Sequence, residues 1–401
     1  MLIALDDGDA AAVVRRHLHH LVDDEVRASP GIRGGQTSAD RALAGFSVAG
    51  YAARRSQVLP ETDRGASRLS PYIRHGLLPL PRVWEHVADG PDRDTRKFRD
   101  ELLWQEYARH LYARVGAALH RNLRFAAPWA GAFEPEAWPR RMNCVDSVVS
   151  ELETDGWLVN QTRMWLASQY TVRSGAGWYA GQEEFYRHLL DGSRAANLLG
   201  WQWTVGAGTG KPYGFARWQV EKRAPQLCRD CPLARACPIE QFPVDAAPVP
   251  VTDAPANLTH DPHLSATRGP VVVRRRTPRS VLLTVDSLGD ADPALEAHPT
   301  LPAVFVFDEP ALARLRLSSK RLIFTVETLQ DLARRRDVVV HRGDPREIVP
   351  GLDAAVTSAP VPSFARYAEG AAELQPWPWL VAPHGGSVAS FSAWRRTSAG
   401  V

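Results

Sequence analysis

The spacing of apolar residues changes along this chain, and the change divides it into regions. Up to about Phe242, apolar side chains recur every three or four positions, as they do on one face of an amphipathic helix. This spacing predicts a helix over Phe98–Val115 and shorter helices at Ala10–Val26 and Val145–Glu153. The first 242 residues therefore predict an all-α domain.

Beyond Ser280 the apolar residues form short continuous runs rich in β-branched side chains. Such runs suit strands that are buried on both faces of a sheet. They predict four strands, with a helix at Ser318–Arg335 before the third: Ser280–Asp286, Ala303–Asp308, Val338–Asp344 and Ala354–Pro360. Strands alternating with helix predict a small α/β domain with a parallel, Rossmann-like sheet over residues 280–401.

Between these regions, residues 243–279 are rich in Pro, Ala, Thr and Asp and show no periodicity. We expect a linker here, and a flexible chain of this length would span roughly 35 Å.

Composition narrows the class of protein only modestly. The formal net charge is +3, so any contact with nucleic acid would need a local basic patch. No run of eighteen apolar residues is present, and Met1–Gly8 lacks the pattern of a signal peptide. We therefore expect a cytoplasmic protein with no membrane partner, whose four cysteines stay reduced.

The cysteines form a candidate metal centre. Cys228, Cys231 and Cys237 lie in the segment CRDCPLARACP, and Cys144 lies far upstream. Four thiolates can close a tetrahedron around zinc, and four thiolates can also hold a [4Fe–4S] cluster. The spacing alone leaves both open, with zinc the commoner use.

Between Gly156 and Trp203, polar residues recur among tryptophans in segments of helical spacing. The segments GWLVNQTRM and LLDGSRAANLLGWQW place an amide, a guanidinium and a carboxylate where a plain core helix would have apolar residues. They resemble the signatures GW-x-x-N-x-x-RM and LLD-x-x-x-A-x-N-x-x-GWQW of the photolyase and cryptochrome family. Such a long, gapped match is more specific than a short motif. The resemblance implies a helical domain that binds FAD.

The resemblance also assigns flavin contacts. GASRLSPYIRHG resembles the family's turn that holds the cofactor pyrophosphate at a helix start. Asn197 would face flavin N5, and Asp191 would pair with Arg163 beside the ring. The implied cofactor-binding residues are Tyr51, Ser67, Arg68, Leu69, Ser70, Arg163, Asp191 and Asn197. Three positions depart from the family pattern: Ala66 replaces a threonine, Gln105 an arginine and Ser193 an acid.

Trp178 and Trp201 match two members of the family's tryptophan relay, which passes electrons to photoexcited flavin. The third member is open, with Trp129 and Trp138 as candidates. Each tryptophan could equally be an ordinary core residue.

A further set resembles the pocket for damaged DNA. Glu101 and Trp104 are three residues apart and share a helix face. The resemblance makes Glu101 the hydrogen-bond partner of a pyrimidine dimer, and makes Trp104 and Trp203 the stacking walls. Asn160 and Met164 would complete the cleft. Enzymes for (6–4) photoproducts have histidines at these two positions, so a cyclobutane dimer is favoured.

Basic residues follow Trp203 and could contact DNA phosphates, although a solvated basic face would have the same composition. They are Lys211, Arg217, Lys222, Arg223, Arg229 and Arg235.

Two expectations concern the organisation of the family. Its iron–sulfur bacterial branch has four cysteines in a similar order, which implies a [4Fe–4S] cluster here. DADPAL at Asp290–Leu295 resembles the HDNPAL motif of the family's antenna domain. That domain usually comes first, so the chain resembles a circular permutation. The family's basic stretch before HDNPAL is replaced here by TVDSLG, so whether an antenna pigment binds is left open. An unrelated doubly wound domain is the alternative interpretation of this half of the chain.

The function that the resemblance implies is light-driven, FAD-dependent repair of cyclobutane pyrimidine dimers in UV-damaged DNA, by electron transfer from reduced flavin. A cryptochrome-like blue-light photosensor without repair activity is one alternative. A flavin-binding protein without photochemistry is another, suggested by Ser193 and Gln105.

Overall fold

The computed structural model describes residues 1–5, 8–243 and 249–398, and its contacts divide the chain into two units. One, the sheet unit, consists of Met1–Phe46, Arg68–His86 and Pro262–Gly385. The other, the helical unit, consists of Ser47–Ser67, Val87–Asp261 and the chain from Gly386 onward.

This division differs from the predicted ranges 1–242, 243–279 and 280–401. The first 46 residues and residues 68–86 belong with the sheet and not with the helical domain. The predicted linker contains short strands and a helix, and it is shared between the two units. Residues 244–248 of that linker lie outside the described residues.

The sheet unit is built around a mixed sheet. The strands of the described chain are β1 Leu2–Ile3, β2 Phe125–Ala126, β3 Val249–Pro250, β4 Val273–Arg274, β5 Ser280–Leu283, β6 Ala303–Asp308, β7 Val338–Gly343, β8 Ala354–Thr357 and β9 Glu373–Gln375. Seven form one sheet in the order β1-β7-β6-β5-β8-β9-β4, and β2 and β3 pair within the helical unit. The five inner strands run parallel, while β1 and β4 are antiparallel edges.

The parallel part has the predicted character. Every residue of β5 and β8 is buried, as are the first five of β6, which explains why these strands are continuous apolar runs. The order of the parallel strands reverses between β5 and β8, as in doubly wound folds. The edge strands were not predicted, because two residues carry no readable periodicity.

The helices of the described chain are α1 Ala10–His17, α2 Gln36–Ala44, α3 Tyr51–Arg54, α4 Ser70–Arg74, α5 Leu80–His86, α6 Asp92–Val115, α7 Asn143–Asp155, α8 Asn160–Ser168, α9 Trp178–His188, α10 Arg194–Thr204, α11 Arg217–Arg223, α12 Pro225–Arg229, α13 Leu264–Arg268, α14 Pro293–Ala297, α15 Glu309–Leu315, α16 Ser319–Ala333, α17 Pro345–Ile348, α18 Ala365–Ala368 and α19 Phe391–Thr397. The predicted helix over Ala10–Val26 is too long, since α1 ends at His17 and a 3₁₀ turn follows. Among the described helices, none has both the length and the apolar character needed to cross a membrane.

In the helical unit, residues 386–398 pack along α6. The Tyr107 hydroxyl donates to the Val388 carbonyl at 2.9 Å, and the Trp394 indole N–H donates to His110 Nδ1 at 3.0 Å. The Arg114 guanidinium donates to the Gly386 carbonyl at 2.5 Å. Because Trp394 is fully buried, this late segment is part of the core of the unit.

Asp292 closes the turn that leads from β5 into α14 in the sheet unit. Its carboxylate accepts the Leu295 N–H at 2.9 Å and also the Ser287 hydroxyl. Burial raises the pKa of this carboxyl. The carboxylate therefore accepts a hydrogen bond from a backbone N–H at the start of α14, which water cannot reach.

Replacing Asp292 with alanine should lower the free energy of unfolding by about 1–3 kcal/mol, because a buried donor loses its acceptor. Asp344→Ala is the matched control: Asp344 caps α17 through the Arg346 N–H at 2.9 Å and is partly exposed. Its loss should be about 1 kcal/mol or less, since water can replace the cap. Urea titration of both variants measures the difference, and equal losses would contradict this account.

Candidate functional site

A bidentate ion pair joins α8 to the turn between α9 and α10. Arg163 Nη2 lies 2.7 Å from Asp191 Oδ2, and Arg163 Nη1 lies 3.2 Å from Oδ1. Arg163 Nε also donates to the Leu158 carbonyl at 3.1 Å. Only 6% of the Asp191 side chain is exposed, so the two parallel hydrogen bonds offset the cost of burying its charge. The structure thus brings the predicted pair together.

Asn197 lies on the first turns of α10 and is held by α9. Its amide nitrogen donates to the Gln182 carbonyl at 2.7 Å and to Gln182 Oε1 at 2.9 Å. In the described chain no hydrogen bond reaches the Asn197 amide oxygen, so that oxygen remains an acceptor. Ser193, where the family has an acid, caps α10 by accepting the Ala196 N–H. The candidate site therefore has the Asn197 amide that the family signature predicts, whereas the second acid of that signature is replaced by Ser193, which caps α10.

Close packing of α9 on α10 places the tryptophans. A Cβ added at Gly181 would lie 2.4 Å from Trp201 Cη2, so the Trp201 ring rests on the helix backbone. Trp178 lies three residues before Gly181 and shares its helix face. Both tryptophans are buried. Trp201 therefore packs against α9, and Trp178 lies on the same face of that helix as Gly181.

A second set of rings continues from Trp201. Its ring centroid lies 6.0 Å from Tyr170, and Tyr170 lies 5.0 Å from Trp138. Trp129 contacts the set through its backbone carbonyl, which accepts the Trp178 N–H at 3.3 Å. Of the two candidates for a third relay member, Trp138 is the one that ring contacts connect to Trp201.

Gln202 was not predicted to matter, although it stands inside the GWQW segment. It is fully buried, donates to the Leu119 and Arg121 carbonyls at 2.8 and 3.0 Å, and accepts the Leu123 N–H at 3.1 Å. Every polar atom of its amide head is engaged in tying α10 to the loop after α6. The sequence signal that could have indicated this role was a glutamine within an otherwise apolar segment.

The predicted phosphate contacts divide between the units. Tyr51 begins α3, whose start is capped by Asp94, which accepts the Gly50 and Ala52 N–H groups at 2.7 and 2.8 Å. The Tyr51 ring meets Phe98 edge-on, with centroids 4.9 Å apart. Ser67 belongs to the helical unit, whereas residues 68–70 belong to the sheet unit. The joint role of Ser67, Arg68, Leu69 and Ser70 stays a prediction.

The residues on α6 that were predicted to bind a lesion are engaged by other side chains. Glu101 Oε1 lies 3.0 Å from Arg55 Nη1 and 3.0 Å from Lys97 Nζ. Trp104 stacks on Phe391 with centroids 4.1 Å apart and an interplanar angle of 11°. One face of the predicted stacking wall is therefore covered by α19.

The other residues predicted to bind a lesion are exposed or partly exposed. Asn160 is exposed at the start of α8, and Met164 follows one turn later on the same face. Trp203 is 37% exposed and its ring centroid lies 5.6 Å from that of Tyr213. These three side chains can meet an external ligand without rearrangement of the helices.

The four cysteines line one cavity, together with mainly apolar residues such as Met142, Leu227 and Ile239. Burial, together with the nearby Cys228, Cys237 and Cys231, raises the pKa of the Cys144 thiol to about 12. All four are free thiols. Within the described ranges, no three Cys, His, Asp or Glu side chains are arranged to hold a metal ion as they stand.

The predicted basic patch is weaker than its composition indicates. Arg217 pairs with Glu221 and Glu240 at 2.8 and 2.9 Å, and Arg229 pairs with Asp230 at 3.4 Å. Lys222 and Arg235 remain exposed. Fewer charges than predicted are therefore available to DNA phosphates.

Comparison with known proteins finds a family match over part of the chain. Residues 98–223 match the family described as the FAD binding domain of DNA photolyase. This part of the chain is similar to that family, and the matched range includes Arg163, Asp191 and Asn197.

Particular relatives resemble only part of the chain. A deoxyribodipyrimidine photo-lyase of Thermus thermophilus is 37% identical over 198 residues, which cover 45% of this chain and 46% of that protein. The corresponding protein of Salmonella typhimurium is 29% identical over 237 residues, covering 56% and 47%. A class III photolyase structure from Agrobacterium tumefaciens aligns with a TM-score of 0.42 at 26% identity, covering 48% of this chain and 43% of that one. The chain thus spans about half the length of the curated relatives it matches.

The packing of Gly181 on Trp201 can be tested with a matched pair of alanine variants. Gly181→Ala should lower the free energy of unfolding by about 1–3 kcal/mol, because the new methyl group overlaps the indole. Gly200→Ala is the control: a Cβ there meets nothing within 4 Å, and alanine should stabilise α10 by up to about 1 kcal/mol. Thermal unfolding with tryptophan fluorescence reports both effects, and a neutral Gly181→Ala would refute the contact.

Proposed function

We propose that this protein is a light-driven, FAD-dependent enzyme that repairs cyclobutane pyrimidine dimers in DNA. The observation that carries the proposal is the grouping of Arg163, Asp191 and Asn197 around one helix junction, within the range that matches an FAD-binding domain. A paired guanidinium and an amide with an open acceptor oxygen suit a polar ring system with its own N–H donors. These residues therefore fit the flavin ring.

The protein's contribution is positioning and electrostatics. The Asn197 oxygen would accept a hydrogen bond from flavin N5–H, while Gln182 fixes the orientation of the amide. The Arg163–Asp191 pair would present a guanidinium edge beside the ring. When bound and reduced, FAD supplies the excited electron that opens the cyclobutane ring and then recovers it, so no net redox change results.

On the lesion side, Glu101 would accept hydrogen bonds from the base edges of the dimer, and Trp203 would stack on it. Trp104 can serve as the opposite wall once the Phe391 ring leaves its face. Arg55 and Lys97, which now hold the Glu101 carboxylate, also place positive charge where a phosphate could bind.

Repair is tested with the FAD-loaded protein reduced by dithionite, a dimer-containing oligonucleotide and blue light, with a dark control. We expect light-dependent loss of dimers, measured by mass spectrometry of the digested oligonucleotide. Glu101→Ala should weaken dimer binding about ten-fold or more, because a hydrogen bond to a charged group contributes ~1.5–3 kcal/mol. FAD content should stay unchanged.

Glu153→Ala is the matched control, since Glu153 lies on α7 and forms an ion pair with Arg140, which precedes that helix. It should repair like the parent protein. No light-dependent repair by the parent protein would remove the proposed activity, and loss of FAD from Glu101→Ala would show that the site is misplaced.

A blue-light photosensor is the second candidate function, and one observation favours it. The Trp104 face is stacked on Phe391, as it would be if residues 386–398 were the element that responds to the flavin. In that case illumination would increase proteolysis or hydrogen exchange of this segment while the dimers stayed intact. The repair assay and limited proteolysis in light and dark therefore separate the two functions.

We further propose that the cysteines hold a [4Fe–4S] cluster. The cavity lined by all four thiols supports this, because α7 supplies Cys144 and the segment around α12 supplies the other three. A bound cluster would clip these two parts of the helical unit together. Zinc held by the same thiols is the alternative.

Anaerobically purified protein should contain about four iron and four sulfide per chain, with a broad absorption shoulder beneath the flavin bands. Cys144→Ser should lose iron, whereas Met142→Leu, which lines the same cavity without a thiol, should keep it. Stoichiometric zinc without iron, measured by plasma mass spectrometry, would contradict the cluster.

We also propose that the sheet unit is a permuted antenna domain and that the protein acts in the cytoplasm. The doubly wound order of β5–β9 and the DADPAL segment at the start of α14 support the first part. The absorption spectrum of the purified protein would show whether a pigment besides FAD is present.

A further inference from the structure

Two large aromatic side chains of the helical unit are exposed and contact each other. Trp218 on α11 is 49% exposed, and Phe242, which lies beyond Cys237 in the chain, is 55% exposed. Their ring centroids lie 6.1 Å apart at an interplanar angle of 70°. Single exposed apolar residues are common on protein surfaces, whereas two large rings in contact form a patch that a ligand can cover.

Both rings are held in place by the local structure. A Cβ added at Gly214 would lie 2.8 Å from Phe242 Cδ1, so the Phe242 ring rests directly on the backbone of Gly214. Trp218 lies in the first turn of α11, which Gln219 caps by accepting the Ala216 N–H at 3.0 Å. A ligand would therefore meet a preformed surface and would order little of the protein on binding.

A cation lies beside the Trp218 ring. Lys222 follows Trp218 by one turn on α11, and its Nζ lies 6.0 Å from the centroid of that ring. This distance is at the limit of a cation–π interaction, so the ammonium is held weakly by the ring and can turn to an anion.

The acids near this patch are engaged by another residue. Glu221 and Glu240 both pair with Arg217, at 2.8 and 2.9 Å. Lys222 and Arg223 form no ion pair within the part of the chain that the structure describes. The helix that carries Trp218 thus has two cations without a carboxylate partner, which complements an anionic ligand.

The same helix is tied to the residues predicted to bind a lesion. Gln219 Nε2 donates to the Tyr213 hydroxyl at 2.9 Å, and the Tyr213 ring lies 5.6 Å from that of Trp203. Gln161, which follows Asn160, donates to the same hydroxyl at 2.9 Å. A DNA strand that reached Trp203 and Asn160 would therefore run close to α11.

The size and chemistry of the patch favour a nucleobase over a protein partner. A stable protein interface covers about 800 Å² on each partner, which is far more than two half-exposed rings present. A base with its phosphate needs only an aromatic face and a cation, and such stacking accepts every base because every base has a π face.

We propose that Trp218, Phe242 and Lys222 form an accessory site for an unpaired base of single-stranded DNA. The base stacks on Trp218 beside Phe242, and Lys222 binds the adjoining phosphate. The assignment rests on the proposed function in taking DNA as the partner, but it needs neither light nor reduced flavin. A dimer that leaves the duplex also leaves unpaired bases behind, and the site suits such bases.

The test is binding of the FAD-loaded protein, in the dark, to a fluorescein-labelled oligothymidine without dimers, measured by fluorescence anisotropy. Trp218→Leu should weaken binding about five-fold to a hundred-fold, because stacking on an aromatic side chain is lost. Trp218→Phe keeps a ring and should retain most of the affinity. Phe133→Leu is the control, since Phe133 is 38% exposed in another part of the helical unit, and it should bind like the parent protein.

An oligomer of abasic sites separates stacking from charge. It keeps the phosphates and lacks the bases, so Trp218→Leu should bind it as tightly as the parent protein does. An equal loss of affinity for both oligomers, or no loss for either, would overturn the proposal.

The role of Lys222 is tested through the salt dependence of binding. Each neutralised phosphate of a single strand contributes ~0.7 to the slope of log K against log salt concentration, so Lys222→Gln should reduce the slope by that amount. Trp218→Leu should leave the slope unchanged. Arg140→Gln is the control, because Arg140 is paired with Asp146 and Glu153. A parent-like slope in Lys222→Gln would contradict the phosphate contact and with it the proposed site.

Failure of this proposal and failure of the repair function are distinguishable. If the parent protein repairs dimers while Trp218→Leu binds oligothymidine as the parent does, this assignment fails alone. If the parent protein repairs no dimers but Trp218→Leu loses affinity for oligothymidine and not for the abasic oligomer, the repair function fails and this assignment stands.

Discussion

The ion pair between Arg163 and Asp191 is the interaction on which the candidate site depends. Asp191 lies in the short turn between α9 and α10, so fixing its carboxylate fixes where α10 begins. From that start, helical geometry places Asn197 and Trp201 four residues apart on one face. One buried contact thereby sets the position of an amide acceptor and of an oxidisable ring.

Features that depend on residues close together in the sequence could be predicted, whereas most of those that depend on distant residues could not. The bounds of β6 agree with its apolar run residue for residue. A strand that is buried on both faces needs apolar residues along its whole length, so the length of the run predicts the length of the strand. The Arg163–Asp191 pair was predicted from a long motif shared with a known family. Pairing of Leu2 with His341 in the sheet has no local signal, and the assignment of the first residues to the helical domain was wrong for that reason.

The stacking of Phe391 on Trp104 in the candidate site could not be predicted from the sequence either. Phe391 belongs to no motif and lies far from Trp104 in sequence, so only the folded chain brings them together. The stacking of Trp104 on Phe391 contributes a modest free energy. An aromatic pair contributes ~0.5–1.5 kcal/mol beyond its buried area, whereas stacking of a base contributes ~1–3 kcal/mol. Phe391 also contacts the ring of Trp394, which anchors α19, with centroids 5.9 Å apart, so displacing the Phe391 ring would disturb that contact as well.

The placement of residues 386–398 against α6 also has a consequence for biosynthesis. A ribosome adding ~5–20 residues per second makes α6 tens of seconds before it makes the segment that packs on it. During that interval the apolar side of α6 that Trp394 later covers has no partner from residues 386–398. The nascent chain must complete most of the sheet unit before this part of the helical unit can close, so the two units mature in an interleaved order. A chain of this design would rely on chaperones during synthesis more than one whose domains are contiguous in sequence.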